Sequence, residues 1–153
     1  DPELLKTDLL ESLFYLHMQP PLFNLFLGVI LKLFPDPLLY TKVFHLFYLF
    51  FGLSLILLLH LTMNQLGVSI SLSLIFSALF CLNPTTIIYE SWLMYTYPLA
   101  TLFCLSAFSL NKFLESQKLI HAMFFFCSLA AITLSRSMYH PFWCLGILPP
   151  LFQ

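Results

Sequence analysis

Charge is what this sequence has least of. Across 153 residues only 8% of side chains are Asp, Glu, Lys or Arg, while 60% are hydrophobic and 18% aromatic. A water-soluble domain carries about a quarter charged residues. This chain therefore lacks the polar atoms to cover a water-facing surface, and the composition predicts an integral membrane protein. The net charge of −1 leaves no basic face to neutralise phosphates, which excludes nucleic acid as a partner. Glycine is also scarce: four residues, none clustered, so no glycine-rich nucleotide loop exists. The G-x-S-x-G, H-E-x-x-H and C-x-x-C patterns are missing too. The four cysteines, Cys81, Cys104, Cys127 and Cys144, each lie in or beside an apolar run. They read as helix-packing thiols, with neither a disulfide framework nor a metal site implied. No motif calls for a cofactor.

What is present begins with one amphipathic segment, Asp1 to Leu16. Asp1 can cap, Pro2 suits a first helical turn and Glu3 favours the positive end of a helix dipole. Leu5, Leu9, Leu13 and Leu16 fall on one stripe, with Glu3, Thr7, Asp8, Glu11 and Ser12 opposite. Residues 1–19 are expected to lie along a membrane interface as a helix and loop. Residues 20–153 follow as transmembrane helices of a single domain.

The apolar segments run over Pro21–Phe34, Val43–Leu61, Gly67–Leu82, Trp92–Leu110 and Leu119–Leu134, with a truncated sixth from near Phe142. The fold class predicted is an all-α, polytopic bundle of five to six apolar helices behind the interfacial helix. Pro21–Phe34 is short for a span of about 20 residues, so its ends must sit in the interface or the bilayer must thin. Tyr40, Trp92, Tyr95, Tyr97, Tyr139 and Trp143 cluster at segment ends, as interfacial anchors do. The first residue is not methionine and the last lie inside "LGILPPLFQ". The expectation is a piece of a longer polytopic chain in the cell (inner) membrane, without a signal peptide.

Orientation leaves two alternatives. Lys32 and Lys42 mark the loop after the first segment as cytoplasmic, and Lys112 with Lys118 marks the loop after the fourth in the same way. Three full crossings between these loops would put them on opposite faces. Either the second or third segment is re-entrant or incomplete, or the charge rule fails for one loop.

Polar groups at a bilayer's edge are expensive, and their default reading is functional. Between Lys42 and Lys112 the only formal charge is Glu90, in "CLNPTTIIYESWLMYTYPLA". Asn83 and Pro84 end one helix and Pro98 interrupts the next, so Glu90 is expected on irregular backbone lining a cavity. The plainer alternative is a loop glutamate in water. Glu90 and His17 are the catalytic candidates, and Tyr89 beside Glu90 is a substrate-binding candidate with Gln19, Arg136 and His140. Arg136, the only arginine, has His140 four residues on. The pair could bind a phosphate or anchor a helix end to lipid headgroups. His17 and Gln19, ahead of Pro20 and Pro21, form either an interfacial cluster or the rim of a site. His45, His60 and His121 read as helix-packing donors.

An amphipathic helix running into "HMQPPLFNLFLGVILKLF" resembles the proline-pair junction of the C-type (GT-C) membrane glycosyltransferases, the protein mannosyltransferase and aminoarabinose-transferase group. "NPTTIIYESWLMYTYPLATLFCLSAF" is similar to that family's later stretch, where a helix ends at a proline and an acidic residue follows. The resemblance covers most of the chain as a spacing of elements, on short motifs. It implies transfer of a sugar from a polyprenyl-phosphate donor to an acceptor at the extracytoplasmic face. It places His17 and Gln19 where the family holds a phosphate-contacting group, and Glu90 at the second acidic position. Gln19 stands where the aminoarabinose type has lysine. The family's catalytic aspartate lies well upstream of the proline pair, farther than Asp1 and Asp8 do. Arg136 and His140 have no family counterpart. The alternatives are a multi-pass transporter, with Glu90 and Arg136 lining the path, and a non-enzymatic membrane scaffold.

Overall fold

The computed structural model describes residues 21–92 and 95–135, and of Glu90 only the backbone. Among these residues there are six helices and no strand: α1 Pro21–Leu33, α2 Pro37–Gln65, α3 Ile70–Cys81, α4 Pro84–Ser91, α5 Thr96–Ser116 and α6 Leu119–Ser135. The expected interfacial helix and the segment from Phe142 lie outside the described residues.

Local chemistry sets the boundaries. Pro37 occupies the first turn of α2, where its missing N–H costs nothing, and the Asp36 carboxylate accepts from Leu38 N–H at 3.3 Å. This cap starts α2 ahead of Val43 and takes Lys42 into the helix. At the other end Gly67 adopts φ 85°, and Val68 N–H reaches the Met63 carbonyl at 3.0 Å, so the chain reverses over a left-handed residue. Ser69 caps α3 through Leu72 N–H at 3.4 Å. Asn83 caps α4 through Thr85 N–H at 2.9 Å, with Pro84 next.

α2 is the spine. It contacts α1, α3, α4 and α5, while α6 packs on α5 and touches α1. Its 29 residues rise about 43 Å, and it is long and apolar enough to cross a membrane. α1, α3 and α6 are shorter apolar helices. Phe26 of α1 meets Phe44, Phe47 and Phe51 edge-on, at 6.1, 5.4 and 6.3 Å between centroids, a favoured aromatic geometry.

α3 and α4 follow α2 back in two pieces. Ser73 of α3 sits against His60 and Asn64, Phe80 shares a cavity wall with Leu55, and Ile87 and Ser91 of α4 border His45 and Leu49. The break falls at Leu82–Asn83. α3 rises only about 18 Å, too little to span a bilayer alone. α5 then returns in the direction of α2. Tyr95 packs on Phe23 at 6.0 Å, Tyr97 stacks on Tyr48, and Thr101 reaches the Phe51 carbonyl at 3.2 Å. Lys32–Lys42 and Lys112–Lys118 therefore lie at opposite ends of α2.

The interior combines an apolar core of Ile30, Leu31, Phe44, Tyr48, Leu55, Tyr97, Leu99, Phe125 and Ile132 with small polar side chains. Asn24, Ser73, Ser77, Thr101, Ser106, Ser109, Ser128 and Ser135 are buried. Leu46, Phe50, Leu53 and Leu57 of α2, Ile70, Leu74 and Phe76 of α3, and Ile120, Phe124 and Phe126 of α6 are exposed. On α3 the buried residues are Ser73 and Ser77. Small side chains facing inward let helices approach closely when no water drives apolar groups together. Gly52 shows the same device: a Cβ there would stand 2.8 Å from the Tyr97 hydroxyl.

His60, Asn64 and Ser73 close a ring of hydrogen bonds between α2 and α3. Ser73 Oγ–H donates to Asn64 Oδ1 at 2.7 Å, and Asn64 Nδ2–H donates to His60 Nε2 at 3.0 Å. His60 Nδ1–H completes it by donating to Ser73 Oγ at 2.9 Å. With the amide so placed, the tautomer that completes the ring is the one with the proton on Nδ1. His60 is thus a helix-packing group, as its sequence setting predicts.

Candidate functional site

The break between α3 and α4 opens a cavity of about 350 Å³. Leu55 of α2 and Phe80 of α3 supply apolar wall. Asn83, Thr85, Thr86 and Tyr89 enter from α4, and Thr96, Tyr97 and Ala100 from α5. The polar atoms come from two helix starts: Thr85 and Thr86 in the first turn of α4, Thr96 and Tyr97 in the first turn of α5. Asn83 faces this space while its side-chain oxygen caps α4. No Lys, Arg, Asp or Glu lines the cavity among the described residues.

Thr86 is 8% exposed. Its hydroxyl makes no hydrogen bond among the described residues, unlike those of Thr41, Thr62 and Thr101, each of which donates to the carbonyl four residues back. The buried polar atoms left without a partner among the described residues do not include this hydroxyl, which opens on the cavity. Tyr97 is held by ring stacking on Tyr48, 6.3 Å between centroids and 10° between planes, and its close approach depends on Gly52.

A second cavity of about 360 Å³ lies on the far side of α4, bounded by His45, Leu49, Ile87 and Ser91. The outer face of α2 carries a third, wholly apolar, between Leu46, Phe47, Leu49, Phe50 and Leu53.

Of the residues singled out in the sequence, Tyr89 lines the first cavity. Glu90 follows it in the last turn of α4. Its backbone is helical, which corrects the expectation of irregular backbone. Pro98 interrupts nothing: it stands in the first turn of α5, where an absent N–H is tolerated. His17, Gln19, Arg136 and His140 lie outside the described residues. Asn83, Thr85, Thr86, Thr96 and Tyr97 were not singled out for this site. The signal was the Asn-Pro pair, which reads as cap and first turn of a new helix as readily as the end of an old one. Cys81, Cys104 and Cys127 are free thiols, and among the described residues no group of three His, Cys, Asp or Glu could hold a metal.

Comparison of this chain with known protein families, with characterised proteins and with solved structures gives no match.

Proposed function

We propose that this chain is part of a multi-pass glycosyltransferase of the cell membrane that takes its sugar from a polyprenyl-phosphate donor. The observation that carries the reading is the cavity at the α3–α4 break, mostly apolar but with threonine and tyrosine side chains on its wall, Tyr89 among them and Glu90 next in the chain. Threonine and tyrosine hydroxyls among aromatic rings suit a sugar, which offers hydroxyls on its edge and C–H groups on its faces. Support for several crossings comes from the exposed leucines and phenylalanines on α2, α3 and α6 and the small serines and threonines buried between helices. α2 crosses alone, and α3 with α4 crosses as one interrupted span. Irregular backbone at that depth is tolerated where it lines a cavity.

In the transfer, an acceptor hydroxyl oxygen bonds to the anomeric carbon as the bond from that carbon to the phosphate oxygen breaks. The acceptor's proton passes to a base, for which Glu90 is the candidate, and the electron pair leaves with the polyprenyl phosphate. His17, Gln19, Arg136 and His140 are the candidates to hold that phosphate, with Tyr89 on the sugar.

The test uses membranes containing the full protein and a radiolabelled polyprenyl-phosphate sugar. The wild type transfers label to an acceptor. Glu90→Gln loses at least about a hundredfold, the usual range for a general acid–base, and His17→Ala loses transfer through weaker hold on the phosphate, while membrane insertion is unchanged in both. Full activity in both variants would remove these residues from the site, and no transfer by the wild type would remove the reading. A second reading, a transporter, is favoured by the discontinuous α3–α4 element, since transporters bind substrate at broken helices. Uptake of free solute into vesicles without covalent transfer would decide for it.

A further inference from the structure

Lys42, His45, Leu46, Leu49 and Leu53 recur at helical spacing along one face of α2, and all are exposed. Lower on this stripe lies the apolar groove of Leu46, Phe47, Leu49, Phe50 and Leu53, about 410 Å³ in volume. At Leu49 it adjoins the cavity between α2 and α4, where His45 and Ser91 bring polar atoms to the wall. Trp92, next to Ser91 at the end of α4, is exposed as an interfacial anchor is. No acidic side chain lines either space among the described residues. Lys42 and His45 make no hydrogen bond or ion pair among those residues. Polar groups on a lipid-facing helix are expensive without a partner, and here the space beside them opens sideways from the helices.

We propose that this polar mouth and apolar groove form a lateral site for an anionic phospholipid, its phosphate held by Lys42 and His45 and an acyl chain lying along Leu46, Leu49, Phe50 and Leu53. The lysine ammonium snorkels along its stem to the headgroup level and pairs with the phosphate, while an imidazole N–H donates to a phosphate oxygen. Ser91 Oγ–H is committed to the Ile87 carbonyl at 2.9 Å. Its remaining lone pairs accept from a headgroup hydroxyl, which favours a glycerol head. Charge selects the occupant: a head bearing an amine would set a cation beside Lys42 with no carboxylate to balance it. A free phosphate would leave the groove without an apolar occupant, and an apolar helix seated there would leave Lys42 and His45 unpaired. The lipid would brace α4 against α2, on the side away from Thr85, Thr86 and Tyr89. This site goes beyond the transfer reading and stands without it.

The experiment releases the full protein from nanodiscs of equal phosphatidylglycerol and phosphatidylcholine and identifies the retained lipid by native mass spectrometry. Phosphatidylglycerol is retained in preference. Lys42→Gln lowers the preference about fivefold, the effect of one basic side chain at a headgroup, and Lys42→Arg keeps it. Lys112→Gln, at a lysine already paired with Glu115 at 2.9 Å, changes nothing. Leu49→Trp, which fills the junction of cavity and groove, lowers retention while helical circular dichroism is unchanged. Glycerol phosphate, a head without a chain, does not displace the lipid. Equal retention of the two lipids, an unaltered preference in folded Lys42→Gln, full retention in folded Leu49→Trp, or displacement by glycerol phosphate overturns the proposal. Displacement by farnesyl phosphate would make the groove a donor site, which also overturns the phospholipid assignment but leaves sugar transfer untouched. Retention as expected in a protein that transfers no sugar removes the glycosyltransferase reading and leaves this site standing.

Discussion

Ser73 and Ser77 lie one turn apart on the same face of α3, both buried, at 0% and 3% exposure. Replacing each by alanine is expected to change stability with opposite sign. Ser73 Oγ joins His60 at 2.9 Å and Asn64 at 2.7 Å. Its removal leaves the His60 Nδ1–H and the Asn64 Oδ1 without partners inside the helix contact. A hydrogen bond contributes about 1 kcal/mol net in soluble proteins and about 0.6 kcal/mol between membrane helices. Two such bonds give a loss of about 1–2 kcal/mol for Ser73→Ala. Ser77 Oγ is buried with no partner, so Ser77→Ala removes an uncompensated polar group and is neutral or stabilising by up to about 1 kcal/mol. Exposed Ser71 serves as control, with a change under about 0.5 kcal/mol. Reversible unfolding in mixed micelles, followed by helical circular dichroism, measures all three. Equal losses at Ser73 and Ser77, or no loss at Ser73, would refute the pairing of α3 on α2.

Two further outcomes follow from the packing. Gly52→Ala places a methyl 2.8 Å from the Tyr97 hydroxyl, so the tyrosine must move. The expected cost is about 1–3 kcal/mol with weaker binding in the adjoining cavity, read by the same unfolding assay and by ligand titration. Cys127 is an exposed free thiol on α6. If that exposure is to lipid, a membrane-impermeant maleimide leaves it unlabelled in intact vesicles and a lipid-soluble one labels it. Rapid labelling by the impermeant reagent would contradict lipid-facing placement of α6.

Most helix positions were legible because long apolar runs broken by proline and polar clusters leave few alternatives. α1 at Pro21–Leu33 and α6 at Leu119–Ser135 fall within a residue or so of the segments predicted. α2 starts earlier than its apolar run because the Asp36–Pro37 cap, not hydropathy, sets its start. The eight residues of α4 were taken for irregular chain: "PTTIIYES" is too short to show a helical stripe, and its helicity depends on the Asn83 cap and on packing against α2. The cavity was less legible still. Tyr89 was recognised beside the lone charge, but Thr86 and Thr96 gain meaning only when two helix starts, twelve residues apart in sequence, meet in space. Which serines turn inward is likewise decided by partners on other helices, as Ser73 is by His60 and Asn64.

The central claim is that the cavity beside Tyr89 holds a lipid-linked sugar. The most direct test replaces Tyr89 by a photoreactive phenylalanine analogue in the full protein and illuminates membranes supplied with radiolabelled polyprenyl-phosphate sugar. The account predicts a labelled adduct at position 89 that unlabelled polyprenyl-phosphate sugar suppresses and free polyprenol does not. No adduct, or one suppressed equally by polyprenol, would contradict it.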